Sequence, residues 1–283
     1  MPMKIAYGTY AMPTVPLEEA VPALAGMGYD GVEICLGPKH HRALPEDFDD
    51  SRRAAMRDLL TSNGLGIPAM FSLGHLLPKD DAEKAATQES LCRIAQLGRD
   101  LGMREPPVVA VGIGGKSADW EAVRSPLVDT LREYGELAER EDFVLAGEAH
   151  CNAAVDRVER AVWLFDTVNH PRVKLHFDIV HFFLAGDAIE HAVRSLVPLT
   201  GHTHITDARR HEDGKVELLL LGQGELDSAA YLRAMQEAGW TDFITLEVST
   251  MVWAKPEYDP FAAARFCYAS LSGAFEAAGV PRT

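Results

Sequence analysis

Residues 17–36 read LEEAVPALAGMGYDGVEICL, and this stretch decides the fold. Its first half spaces apolar residues three and four apart, from Leu17 through Val21 and Leu24 to Met27. That is the period of a helix with one buried face. Gly28 follows the last periodic residue, where a left-handed cap is expected because glycine has no Cβ to clash. Residues 31–36 then form a short apolar run of the kind that makes a strand. The same junction of helix, glycine and strand recurs at Ala238-Gly239-Trp240-Thr241.

Working outward, apolar runs at 4–9, 31–36, 66–72, 108–113, 143–148, 173–178, 200–206 and 243–248 each precede a helically spaced stretch. Those stretches fall at 17–27, 48–63, 81–101, 120–139, 155–168, 187–196, 228–238 and 260–277, with a long loop expected from 208 to 222. Strands that alternate with helices pair in parallel, because a parallel neighbour requires a crossover. Eight such units in 283 residues predict a single (β/α)8 TIM barrel, one α/β domain over residues 1–283. An open doubly wound sheet would favour fewer strands and a glycine-rich turn after the first one. The first run ends instead in Tyr7-Gly8-Thr9-Tyr10.

The chain has 27 basic and 42 acidic side chains, a formal charge of -15. Nucleic-acid backbones recruit basic surfaces, so no nucleic-acid partner is expected. Nor does any run approach the roughly 20 apolar residues that span a bilayer, and the first residues lack a secretory h-region. Cys35, Cys92, Cys151 and Cys267 are scattered, which fits reduced thiols in a cytoplasmic protein. The expected partner is a small molecule, with a homo-oligomer allowed.

Barrels of this kind build their sites at the C-terminal ends of the strands. There the last four runs carry Glu148 and His150, then Asp178 and His181, then His204 and Asp207, and finally Glu247. Acids crowded at one rim repel and lose solvation unless a cation pairs with them. One divalent metal held by Glu148, Asp178, His204 and Glu247 resolves that conflict. Three carboxylates and one imidazole suit Mn²⁺ first, with Co²⁺, Mg²⁺ or Zn²⁺ as alternatives. Asp207 is expected to orient His204 by accepting its distal N–H. The earlier runs add Glu33, His75 and the turn Gly114-Gly115-Lys116, which could cradle a phosphate but reads more simply as a loop before a helix. His40, His41, His170, His191 and His211 read as surface residues.

These residues carry a resemblance. The opening Met3-Lys4-Ile5-Ala6, the segment from Ala25 to Ile34, the Glu148-x-His150 turn, Asp178-x-x-His181, His204-x-x-Asp207, Gly222-Gln223-Gly224-Glu225-Leu226-Asp227 and Glu247 together resemble the xylose isomerase-like barrel superfamily. The similar branch is that of sugar phosphate isomerases and epimerases, which includes ketose 3-epimerases and inosose dehydratases. The resemblance implies the same four metal ligands, with Glu148 and Glu247 doubling as the acid/base pair. It places His181 and Arg210 on substrate oxygens, and Glu33 and His75, which lie on the same rim, are expected to close the substrate pocket. Ala154 stands where ketose 3-epimerases carry a further substrate-binding Glu, and His150 follows the fifth strand as a third catalytic candidate. The implied activity is a metal-dependent sugar isomerase or epimerase working by proton abstraction next to a carbonyl. A sugar dehydratase or lyase on the same metal is the alternative. An abasic-site endonuclease would need more histidines on the early strands and a basic rim.

Overall fold

Gly28 ends helix α1 (Leu17–Met27) at φ 100, and its N–H donates to Leu24 O and Ala25 O. A side chain there would also run into the Tyr268 ring. The turn it permits delivers the chain directly into strand β2 (Gly31–Leu36), all six residues of which are buried. This computed structural model describes residues 2–282.

Among those residues the remaining barrel strands are β1 (Lys4–Gly8), β3 (Met70–His75), β4 (Val108–Gly112), β5 (Val144–Glu148), β6 (Val173–Asp178), β7 (Thr200–Ile205) and β10 (Phe243–Leu246). They close in the order β1-β10-β7-β6-β5-β4-β3-β2, every pair parallel. Tyr7 sits opposite Val32 on one side and Leu246 on the other, which is where the ring joins. Helices α2 (Asp50–Ser62), α3 (Asp81–Asp100), α4 (Trp120–Arg140), α5 (Val158–Val168), α7 (Ile189–Leu196), α8 (Ser228–Glu237) and α10 (Pro260–Ala278) complete the outer layer with α1. Strands filled from within and covered from without are buried on both faces, so they read as continuous apolar runs. The expected (β/α)8 barrel is the fold that forms.

One strand boundary is corrected and two short helices are added. The third strand starts at Met70 rather than at 66, because Pro68 has no N–H to give to a ladder. A helix, α6 (Ile179–Ala185), begins straight after Asp178, whose side chain caps it by accepting Val180 N–H. A second short helix, α9 (Thr250–Trp253), follows β10 and is capped by Ser249.

The expected long loop is an antiparallel hairpin, β8 (Asp207–Arg210) paired with β9 (Val216–Leu219). Its root is a single buried carboxylate. Asp207 accepts the N–H groups of Ala208, Gly222, Gly224 and Leu226 at 2.8–3.0 Å. Gly224 is required there, since a Cβ would strike both the Asp207 carboxylate and the Ala208 carbonyl. Asp207→Ala strands those donors, and it is expected to cost about 2–3 kcal/mol of stability in urea unfolding. Metal affinity should hold, because the carboxylate does not touch His204.

Candidate metal centre

Four elements end on one another at the mouth of the barrel. Glu148 closes β5, Asp178 closes β6, His204 lies near the end of β7, and Glu247 follows β10. One ligand atom from each lies within 4.8 Å of the other three. His204 Nδ1 is 3.6 Å from Glu247 Oε2. Asp178 and His204 are 0% exposed and Glu148 is 8% exposed.

The electrostatics of these groups call for a cation. Burial, and then the charge of Glu247, push the Glu148 carboxyl well above its ordinary range. The same two causes raise Asp178 to about 7. Asp178 Oδ2 and His204 Nδ1 are both buried without a hydrogen-bond partner. Buried polar atoms rarely stay unpaired, and here two of them belong to one set of converging ligand atoms. A divalent cation fits that donor set in both charge and type.

Behind the ligands stands a second layer that the sequence reading misassigned. Glu33, on β2, accepts His204 Nε2–H at 2.9–3.0 Å and His202 Nε2–H at 2.6 Å. Burial would raise this carboxyl, but the His204 charge and the His202 hydrogen bond outweigh it and hold it at about 2. Burial likewise opposes protonation of His204, and Glu33 and Glu247 reverse that, raising it well above the ordinary imidazole value. With Nε2 committed to Glu33, Nδ1 is the nitrogen that faces the carboxylates. Asp207, expected in this role, is turned into the hairpin root, and Glu33, expected at the substrate, holds His204 instead. The signal was present in the sequence, since an acid inside an apolar strand needs a buried partner.

A cavity of about 210 Å³ opens above the four ligands. His75, His150 and His181 line it, as expected. His181 Nε2 lies 3.7 Å from Asp178 and 3.9 Å from Glu148, and its ring centroid is 3.9 Å from that of His150. Burial lowers both imidazoles, His181 more strongly, which favours their neutral forms. Arg210 is not brought to the cavity. It sits exposed on the hairpin with its guanidinium donating to Leu184 O, and Arg209 donates to Gln223 O. Tyr10, Phe71, Thr206, Leu218 and Ser249 also line the cavity, although nothing in their residue types marked them in the sequence. His40 is buried rather than on the surface, with Nε2 3.2 Å from Tyr10 O. His41, His191 and His211 are exposed as expected, while His170 is half-buried.

Replacing Glu33 by Gln keeps the volume but removes the charged acceptor behind His204. Partners of this kind contribute 10–100-fold to metal affinity. Glu33→Gln is therefore expected to weaken Co²⁺ binding by about that factor in a titration, and to perturb the visible spectrum of the bound ion.

With that geometry in place, the chain can be set beside known proteins. It is 22% identical over 240 residues to L-ribulose-5-phosphate 3-epimerase UlaE of Shigella flexneri serotype 5b, covering 83% of this chain and 82% of that one. Its fold superposes on the IolI protein, solved with a bound zinc atom, with TM-score 0.79, 20% identity and 98% coverage of both chains. It also superposes on L-ribulose 3-epimerase with TM-score 0.75 and 20% identity, over 98% of this chain and 96% of that one. The family match runs over residues 21–267 and takes in all four candidate ligands, so the chain belongs to the xylose isomerase-like TIM barrel family.

Proposed function

We propose that this enzyme is a divalent-metal-dependent sugar epimerase or isomerase that moves a proton on a carbon next to a carbonyl. The observation that carries the reading is the convergence of Glu148, Asp178, His204 and Glu247, with Asp178 Oδ2 and His204 Nδ1 buried and unpaired. Relatives named as L-ribulose-5-phosphate and L-ribulose 3-epimerases support the reaction class, and the zinc bound to IolI supports the metal. Mn²⁺, Co²⁺, Mg²⁺ and Zn²⁺ all suit the donor set. No helix among the described residues is long and apolar enough to cross a membrane. The free cysteines fit a reducing compartment and support a cytoplasmic location.

When bound, the cation supplies positive charge for the substrate oxygen that gains electron density as the proton leaves. The chain's own residues then divide the work. Glu148 and Glu247 come from β5 and from the end of β10, with β6 and β7 between them in the ring. They therefore flank the space above Asp178 and His204, and a sugar placed there meets a carboxylate on each side. One carboxylate takes the proton and the other returns it. Return to the opposite face of the same carbon is epimerisation, and return to the neighbouring carbon is isomerisation. His75 and His181 offer ring N–H groups or lone pairs to the hydroxyls.

A dehydratase or lyase on the same centre is the second reading, and His150 is what favours it. Its imidazole lines the cavity beside His181, and burial lowers its pKa, so it can take a proton as a base and then, as imidazolium, pass it to a departing oxygen.

Purified protein is expected to hold about one divalent ion per chain after loading, read by elemental analysis. Glu148→Gln and Glu247→Gln should each lower turnover by about 10²-fold or more while weakening metal binding far less. Solvent deuterium should enter the product at the carbon that reacts. Near-normal turnover in both variants would remove the two glutamates from proton transfer. Loss of activity in His150→Ala alone would move the base to His150 and favour the lyase.

A further inference from the structure

The two named epimerases differ by a phosphate, and the lining of the cavity discriminates between those substrates. We infer that the sugar this enzyme takes is uncharged, and that sugar phosphates are rejected. The inference rests on the reading of the cavity as a sugar site and adds the class of sugar to it.

Among the described residues, no lysine or arginine lines the cavity, while Glu148, Asp178 and Glu247 all do. A phosphate monoester carries about -1.5 to -2 charges at pH 7. One divalent cation cancels two of the three carboxylate charges, so a phosphate dianion would enter a site that already has negative charge to spare. Buried like charges of this kind are costly without a partner. Phosphates are normally met by arginine forks, lysines or free amides at helix N-termini. No arginine or lysine among the described residues lines the cavity, and the capping N–H of each helix that starts beside it already has a partner. Arg209 and Arg210, the arginines nearest the site along the hairpin, donate to Gln223 O and Leu184 O. Helix α6 begins beside the cavity, but Asp178 has taken its Val180 N–H. Helix α9 begins after Ser249, which has taken the Met251 N–H. The glycine turn at 114–116, the phosphate cradle that the sequence suggests, does not line the cavity.

What the cavity does offer suits a neutral polyol. Ser72, Thr206 and Ser249 present hydroxyls, and Tyr10, Phe71, Leu73 and Leu218 present apolar surface for the C–H faces of a sugar. Its volume of about 210 Å³ lies below the ~300 Å³ at which pockets for larger ligands begin.

The test compares L-ribulose and other free ketopentoses and ketohexoses with their terminal phosphates on the Mn²⁺-loaded full chain. Product formation is read by chromatography, and binding is read separately by calorimetry. The best free ketose should exceed its own phosphate at least tenfold in both kcat/KM and affinity. Leu73→Arg places a cation at the mouth, on a side chain already 41% exposed, and should narrow that gap about tenfold. A phosphate ester bound or turned over as well as its free sugar overturns the inference while leaving the epimerase reading intact. Free sugars that bind in preference to phosphates but do not react uphold the inference and sink the epimerase reading. Failure of every free sugar to bind overturns both.

Discussion

The arrangement at the mouth of this barrel depends on one buried carboxylate that never reaches the cavity. Glu33 sits inside the ring on β2 and is shared by His202 and His204 of β7, across the barrel. An ionised acid in such a place is tolerated only because two imidazoles donate to it. The return for the fold is orientation. His204 is fixed with one nitrogen on Glu33 and the other toward Asp178 and Glu247. The three acids can then gather around a common point from three different strand ends. The geometry of the candidate metal centre thus rests on a hydrogen bond in the barrel's interior, and that bond is intelligible from desolvation alone.

Much of this was legible in the sequence, for identifiable reasons. The glycine stop at Gly28 and its counterpart at Gly239 announced helix-to-strand junctions, and the repeated pattern gave the barrel. Residue type at strand ends gave the ligand set, because adjacent strands of a parallel barrel all point their C-terminal ends at the same rim. Partner choice was less legible. Asp207 stands three residues from His204 and looked like its natural acceptor, yet the chain turns into a hairpin at that residue and carries the carboxylate away. Glu33 lies 171 positions before His204, and spacing says nothing about contacts across a barrel. Resemblance places Arg210 on the substrate, but the long loop that carries it is a paired hairpin that holds the guanidinium on Leu184 O.

The lining of the cavity illustrates a second limit. Tyr10, Phe71, Leu73 and Leu218 are apolar side chains of the kind found throughout the core, and only the geometry of the mouth separates them from it. Tyr10 is held by its hydroxyl contact with Thr250 and by edge contacts to Phe71 and Trp253. A wall built this way is stiff, and it sets the shape of the site without contributing any group that a motif would single out. The ionisable residues of the cavity are few, and the rest of its wall is made of ordinary side chains.

The Asp207 clasp separates these two properties within a short length of chain. Between His204 and Leu218 the polypeptide passes from a candidate metal ligand to a residue of the cavity wall, and the clasp ties the start of the hairpin at Ala208 to the segment that leaves it at Gly222, Gly224 and Leu226. Changes in the hairpin beyond it can reshape the roof of the cavity while the imidazole at its base keeps its bearing. The exposed tip around residues 211–215 is free to vary in length and composition on the same terms. Such a joint separates the base of the site from its roof, so the wall can be altered without rebuilding the candidate centre.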